Sequence, residues 1–217
     1  MLRRLAGKHR LSGSLVIRAA AAALHTDTAH RPFTGFRDAL GPTEFDALPR
    51  AIQQFHLAGT PPARCSGTFR VTRGRGICDM LASLGGLPQA SESAHVVVTA
   101  TGETVTCWER AFDGQPLRST VRFAGGVVHE EFAVLGVPMR LSFTLVPTAC
   151  GRGFHHITQG MWVGPLPVPR ALQLTADGVT VAAADDDDGW DACITVSAPL
   201  GLGLLVRYEG RVAIEPG

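Results

Sequence analysis

The stretch TVTCWERAFDGQPLRSTVRFAGGVVHEEFA, Thr104 to Ala133, decides the fold. Its three runs, TVTCWERAF, LRSTVRFA and VVHEEFA, alternate apolar with polar side chains, and the turn signals DGQP and GG separate them. Alternation of period two describes a strand with one buried face, and links this short join antiparallel neighbours. The expected unit is a meander.

Parity assigns the faces. Leu117, Ser119, Val121 and Phe123 share the apolar, core side of their strand, and Arg118, Thr120 and Arg122 share the other. A two-residue turn at Gly125 and Gly126 places Val121 opposite Glu130, so Glu130 joins the core face with Val128 and Phe132, while His129 and Glu131 face outward. Pro116 cannot donate to a ladder, which favours a four-residue loop from Asp113 to Pro116 and sets Arg110 opposite Ser119 and Trp108 opposite Val121. A two-residue loop keeps the same faces. Trp108, Arg110 and Phe112 then look inward with Glu130, the Arg110 and Glu130 Cα atoms about 11–12 Å apart from standard sheet spacing. An inward Arg and Glu framed by aromatics form either a buried ion pair that satisfies itself or the polar anchors of a ligand cavity. In the second case Arg110 fixes an acidic head group and Glu130 is a candidate acid or base.

Outward from this stretch the same pattern persists. HVVVTA, MRLSFTLV, FHHITQGMWV, ALQLTADGVTVAAA, DACITVSA and LGLLVRYEGRVAI read as strands, and GTFRVTRG precedes them. GPLPVP carries too many prolines for a central strand. Nine or ten strands without helical crossovers make the chain mainly β, an antiparallel meander forming a barrel or half-barrel. Two short helices are expected near the N-terminus. One lies within GPTEFDALPRAIQQFH, with Asp46 as N-cap, Pro49 in the first turn and an apolar stripe of Phe45, Leu48, Ile52 and Phe55. It ends at His56, where the helix dipole favours a protonated ring, though a capping or exposed histidine is the plainer reading. The second carries Ile77, Met80, Leu81 and Leu84 and stops at Gly85 and Gly86.

Composition excludes several functions. Hydrophobic residues make up 45% and charged ones 18%, a balance that fills a core. A net charge of +1 gives no electrostatic footprint for nucleic acid or for an acidic membrane surface, and neither is expected as a partner. No apolar run approaches the ~18 residues of a membrane span. The five cysteines, Cys65, Cys78, Cys107, Cys150 and Cys193, show no CxxC spacing and read as reduced, mostly buried thiols of a cytoplasmic protein. Residues 1–34 form a basic, Ala-rich extension that shares features with targeting segments, and residues 35–217 form a single β-rich domain.

Other motifs are weaker. Gly74-Arg75-Gly76 lies between strand and helix but lacks the third glycine of a dinucleotide fingerprint, so a tight turn is expected rather than a phosphate site. His155 and His156 point to opposite faces of a strand and cannot chelate one metal together. The run Asp185 to Asp188 lacks the calcium-loop pattern and reads as a solvated hairpin loop. No metal and no cofactor is expected.

WERAF, HEEF, GPLPVP and APLGLGLLVRYEGRV, with the LP-containing helix ending in His56, resemble the bacterial family catalogued as domain of unknown function 4166. The resemblance runs from about Phe36 to Val212 and picks out His56, Gly74, Gly76, Trp108, Arg110, Phe112, Pro165, Leu166, Pro167, Tyr208 and Gly210, with Glu130 or Glu131 as the family Glu. Many relatives carry this segment behind a saccharopine-dehydrogenase-like domain, which implies a dehydrogenase-like protein as partner. Three functions follow as expectations. The first is binding of a small, partly apolar, lipid-like or carboxylate ligand inside the sheet by Trp108, Arg110, Phe112, Glu130 and His56. The second is an enzyme using the inward Glu130 and Arg110, and the third a non-catalytic module of that partner.

Overall fold

The computed structural model describes residues 35–57, 62–102, 105–182 and 188–215. The extension of residues 1–34 and most of the aspartate run lie outside the described residues.

Eleven strands follow the alternation: β1 (Ala63–Arg73), β2 (Ser91–Thr101), β3 (Thr106–Phe112), β4 (Gln115–Ala124), β5 (Val127–Val134), β6 (Val137–Pro147), β7 (Gly153–Val163), β8 (Leu166–Pro167), β9 (Thr175–Ala182), β10 (Gly189–Ala198) and β11 (Gly203–Ile214). Consecutive strands pair antiparallel from β1 to β7, then β7 pairs β9, β9 pairs β10, β10 pairs β11, and β11 returns to β1. Ten strands therefore close a complete barrel rather than a half-barrel, which removes both sheet edges. The two-residue β8, rich in neighbouring prolines, pairs only with the last residues of β7 and lies outside the ring. The weakest seam joins β7 to β9, where backbone pairing spans Gly153 to His156. Beyond it, Asp177 Oδ1 accepts the Thr158 N–H at 2.8 Å, and Thr158 Oγ1 accepts the Ala176 N–H at 2.8 Å.

The Gly125-Gly126 turn and the pairs Phe123 with Val128 and Val121 with Glu130 are as expected. The loop before β4 is not. Asp113 and Gly114, with φ of 48° and 81°, form a two-residue turn, so Phe112 faces Gln115, Arg110 faces Leu117 and Trp108 faces Ser119. Pro116 is tolerated because it lies one residue beyond the hydrogen-bonded pair that closes the turn, so its nitrogen points away from β3. The β4–β5 ladder ends at Thr120 and leaves no partner wanting that N–H.

Four short helices replace the two expected: α1 (Gly35–Leu40), α2 (Pro42–Asp46), α3 (Arg50–His56) and α4 (Ile77–Leu84). Pro49 divides the first expected helix, because a proline ring disfavours helical backbone at the preceding residue. It becomes the N-cap of α3, while Asp46 ends α2 and binds Arg37 through two hydrogen bonds of 2.7 and 2.9 Å. Through the buried Phe36, Phe45, Ile52 and Phe55, α1 packs on β4, β5 and β6, α2 on α1, and α3 on β1, β10 and β11, at the barrel end where β1 and β10 begin. That end is here called the capped end.

At the opposite end, α4 buries Cys78 and Ala82, and of its expected apolar stripe only Leu81 packs against the core. Ile77, Met80 and Leu84 remain 54%, 55% and 49% exposed. The Gly74 N–H is spent on Leu205 O at 3.0 Å, and a Cβ there would meet Leu204 O at 1.8 Å. The glycine serves strand contact, not an anion. All five cysteines are free, but Cys107 and Cys150 are exposed rather than buried.

Candidate functional site

The barrel is not packed solid. A cavity of about 140 Å³ lies toward the capped end, and one of about 270 Å³ lies toward α4. Both touch Arg110, Glu130, Ala176 and Tyr208, so they are two chambers of one lumen meeting at a polar waist.

The waist is built by register. Arg110 on β3 faces Leu117, Glu130 on β5 faces Val121, and Ser119 sits midway between those two positions on β4. The true register thus offsets the pair further than the sequence suggested, and the serine closes the diagonal. Arg110 Nη2 donates to Glu130 Oε1 at 2.5 Å and to Ser119 Oγ at 3.1 Å, and Ser119 Oγ donates to Glu130 Oε1 at 2.6 Å. The Arg110 guanidinium also lies 5.1 Å from the Trp108 ring centroid, within cation–π range. Tyr208, from β11, packs its ring 5.4 Å from Phe112.

Burial is the largest influence on both charges and opposes each. The Arg110–Glu130 pairing outweighs it, holding Glu130 below its ordinary carboxylate range and Arg110 above its own. The pair is therefore ionised. Burial likewise pushes the Tyr208 hydroxyl up.

The waist nevertheless has unused capacity. Among the described residues, the hydrogen bonds to Glu130 fall on Oε1 and those from Arg110 leave Nη2, so Glu130 Oε2 and Arg110 Nη1 and Nε face the lumen without a described partner. The two side chains are 13% and 20% exposed, and the exposed parts line the cavities.

The inner chamber is aromatic. Phe55, Trp108, Phe143 and Trp190 line it with His56 and His156. His56 is neither an exposed residue nor a helix cap. It is 6% exposed, its ring centroid is 4.1 Å from Phe36 and 5.4 Å from Phe154, and among the described residues its Nδ1 has no hydrogen-bond partner. Burial, with His156 adding repulsion, pushes its pKa down to about 3. Burial also lowers His156 to about 4, so both rings are neutral near pH 7. The outer chamber is largely aliphatic, lined by Leu81, Leu117, Met139, Leu174 and Leu205 with Phe132.

The structure brings the five sequence-chosen residues together: Trp108, Arg110, Phe112, Glu130 and His56 all line the inner chamber. Reading for ion pairs missed Ser119 and His156 as site residues, although parity marks both. Ser119 shares the core face of β4, and His156 shares the face of the buried Phe154 while His155 points out. Glu131 lies outside, bound to Arg122 at 3.2 Å. Among the described residues no cluster of His, Cys, Asp and Glu could hold a metal, and no helix is long and apolar enough to cross a membrane.

A family model described as Domain of unknown function (DUF4166) matches residues 48–212. No curated protein and no solved structure matches the chain.

Proposed function

The chain belongs to the family Domain of unknown function (DUF4166), a membership that names no reaction, and from the chemistry of the lumen we propose that it binds a small amphipathic molecule inside the barrel. The observation that carries this reading is the waist: ionised, buried and half-satisfied, between an aromatic chamber and an aliphatic one. Buried polar groups are ordinarily satisfied, and a cluster with open donors and acceptors in an apolar cavity is what orients a ligand. Arg110 Nη1 offers a donor and Glu130 Oε2 an acceptor. The waist suits a head group that both accepts and donates, such as an alcohol, an amide or a carboxyl group, with an aliphatic body in the outer chamber.

Catalysis by Glu130 has less behind it. A general acid needs a raised pKa, and here the neighbouring guanidinium lowers it.

Native mass spectrometry of wild type and Arg110→Ala tests the proposal. Wild type is expected to carry a bound species of small-molecule mass that Arg110→Ala carries at much lower occupancy. An unliganded wild type that also takes up no fatty alcohol or fatty acid from solution overturns it.

A further inference from the structure

The exposed apolar side chains are unevenly placed. Of the thirteen large ones among the described residues, only Leu57, Val146 and Ile157 lie on the capped end or the wall. The other ten surround the open end. Ile77, Met80 and Leu84 form the outward stripe of α4 at positions i, i+3 and i+7, a helix face on which none of the described residues packs. Leu135 and Val137 stand at the β5–β6 turn, Val163 and Leu166 at the β7–β8 corner, Leu172 in the 3-10 turn Arg170–Leu172, and Leu200 and Leu202 at the turn Pro199–Gly201. Three of these segments border the outer chamber, whose wall includes Leu81 of α4, Val134 before the β5–β6 turn and Pro199.

Two of these leucines break local rules twice over. Leu135 and Leu200 have φ of 51° and 58°, the left-handed region where Gly, Asn or Asp is favoured. They are also 77% and 66% exposed. A leucine held at a turn tip against both backbone preference and solvation marks a position kept for contact with something apolar.

We propose that this rim docks on a lipid bilayer, placing the mouth of the outer chamber against the acyl region so that an apolar ligand passes between membrane and lumen without crossing water. Projecting aliphatic side chains on separate turns suit a fluid surface better than a packed protein face, which favours buried aromatic anchors. The rim's charge is suited to lipid phosphate. Arg75 and Arg170 are exposed and, among the described residues, outside any ion pair or hydrogen bond, whereas Asp79 is held by Arg73 at 2.9 Å and Asp113 Oδ1 accepts the His95 N–H at 2.7 Å. Docking is independent of whether the waist holds a ligand, because no rim residue belongs to the waist.

Flotation of the full chain with phosphatidylcholine vesicles, and with vesicles of phosphatidylcholine and phosphatidylglycerol in equal parts, tests this. Wild type is expected to float with both, more strongly with the anionic mixture. The double variant Leu135→Asn, Leu200→Asn should lower partitioning about tenfold or more, and it should remain folded because asparagine tolerates the left-handed backbone at both sites. Leu57→Asn at the capped end and Arg110→Ala at the waist should float as wild type does, which separates this proposal from the ligand reading. A wild type that stays unbound overturns it, as does a double variant that floats unchanged, which would assign binding to the basic extension. Self-association or capture of a partner protein that the double variant abolishes, without flotation, also overturns it and makes the rim a protein interface.

Discussion

At the scale of single residues the lumen is defined by charges that exist only because they are paired. Removing one member leaves the other buried and uncompensated, so Glu130→Gln and Arg110→Met are each expected to lower stability by about 2–3 kcal/mol in urea unfolding. The double variant Arg110→Met, Glu130→Leu should recover most of that loss, and a double variant as unstable as the sum of the singles would show that the pair does not act as a unit. The two lumen histidines set the response to acid. Their folded pKa values, about 3 for His56 and about 4 for His156, lie below the unfolded value near 6.5. The unfolded chain therefore takes up protons first as pH falls. Stability is full above about pH 6.5 and is lost as pH falls to about 4 for His156 and about 3 for His56, by at most about 1.4 kcal/mol per pH unit for each ring. Glu130, lowered by Arg110, adds to the loss at more acidic pH, below the unfolded carboxylate value. His56→Phe keeps the aromatic packing and removes one titration, so comparing unfolding at about pH 7 and about pH 5 should show roughly half the wild-type slope. An unchanged slope would place the acid response outside the lumen. Parity alone made Glu130 and Arg110 legible as inward residues. The pairing distance was not legible, because it depends on a turn whose length Pro116 disguised.

At the scale of elements, α4 is held at the mouth chiefly through one side chain's hydrogen bonds, alongside the buried Cys78, whose Sγ donates to Leu202 O at 3.3 Å, and Ala82. Arg73, 5% exposed, donates from Nε to Asp79 Oδ1, from Nη1 to Leu87 O and Pro88 O, and from Nη2 to Asp79 O and Ser83 Oγ, at 2.7–3.0 Å. Lysine has neither the planar fork nor five donors, so Arg73→Lys should lower stability by about 1–2 kcal/mol and speed amide exchange in α4 before the strands. Unaltered protection in α4 would mean that Cys78 and Ala82 suffice to hold it. The helix itself was legible from its periodicity and its glycine stop, but its buried face was not. A stripe of Ile77, Met80 and Leu84 ordinarily marks the core side, and it is read correctly only once the barrel has closed and claimed Cys78 and Ala82 instead. The failure of the pattern is informative, because the same stripe supplies part of the exposed rim. The split of the N-terminal helix at Pro49 was within reach of the sequence, since the clash falls on the preceding residue whatever the tertiary context.

At the scale of the molecule, strand alternation shows that neighbours pair but not that the first and last strands meet. Closure rests on β1 and β11, where Gly210 admits the partner backbone so closely that a Cβ would meet Thr68 O at 2.1 Å. Closure is also what makes a lumen, since ten strands enclose more space than these inward side chains fill. The decisive position for that space is Ala176, which lines both chambers at the waist. Ala176→Trp would occupy the junction with a large ring, and because it fills an existing void it should leave the melting temperature near wild type, within the ~1–3 kcal/mol that misfit side chains cost. Uptake of a fluorescent apolar probe such as anilinonaphthalene sulfonate should fall about tenfold, a difference of about 1.4 kcal/mol in binding. A folded Ala176→Trp protein that binds the probe as wild type does would place the probe outside the waist, on the rim. The Leu135→Asn, Leu200→Asn variant distinguishes the two, because it strips apolar surface from the mouth and leaves the waist untouched.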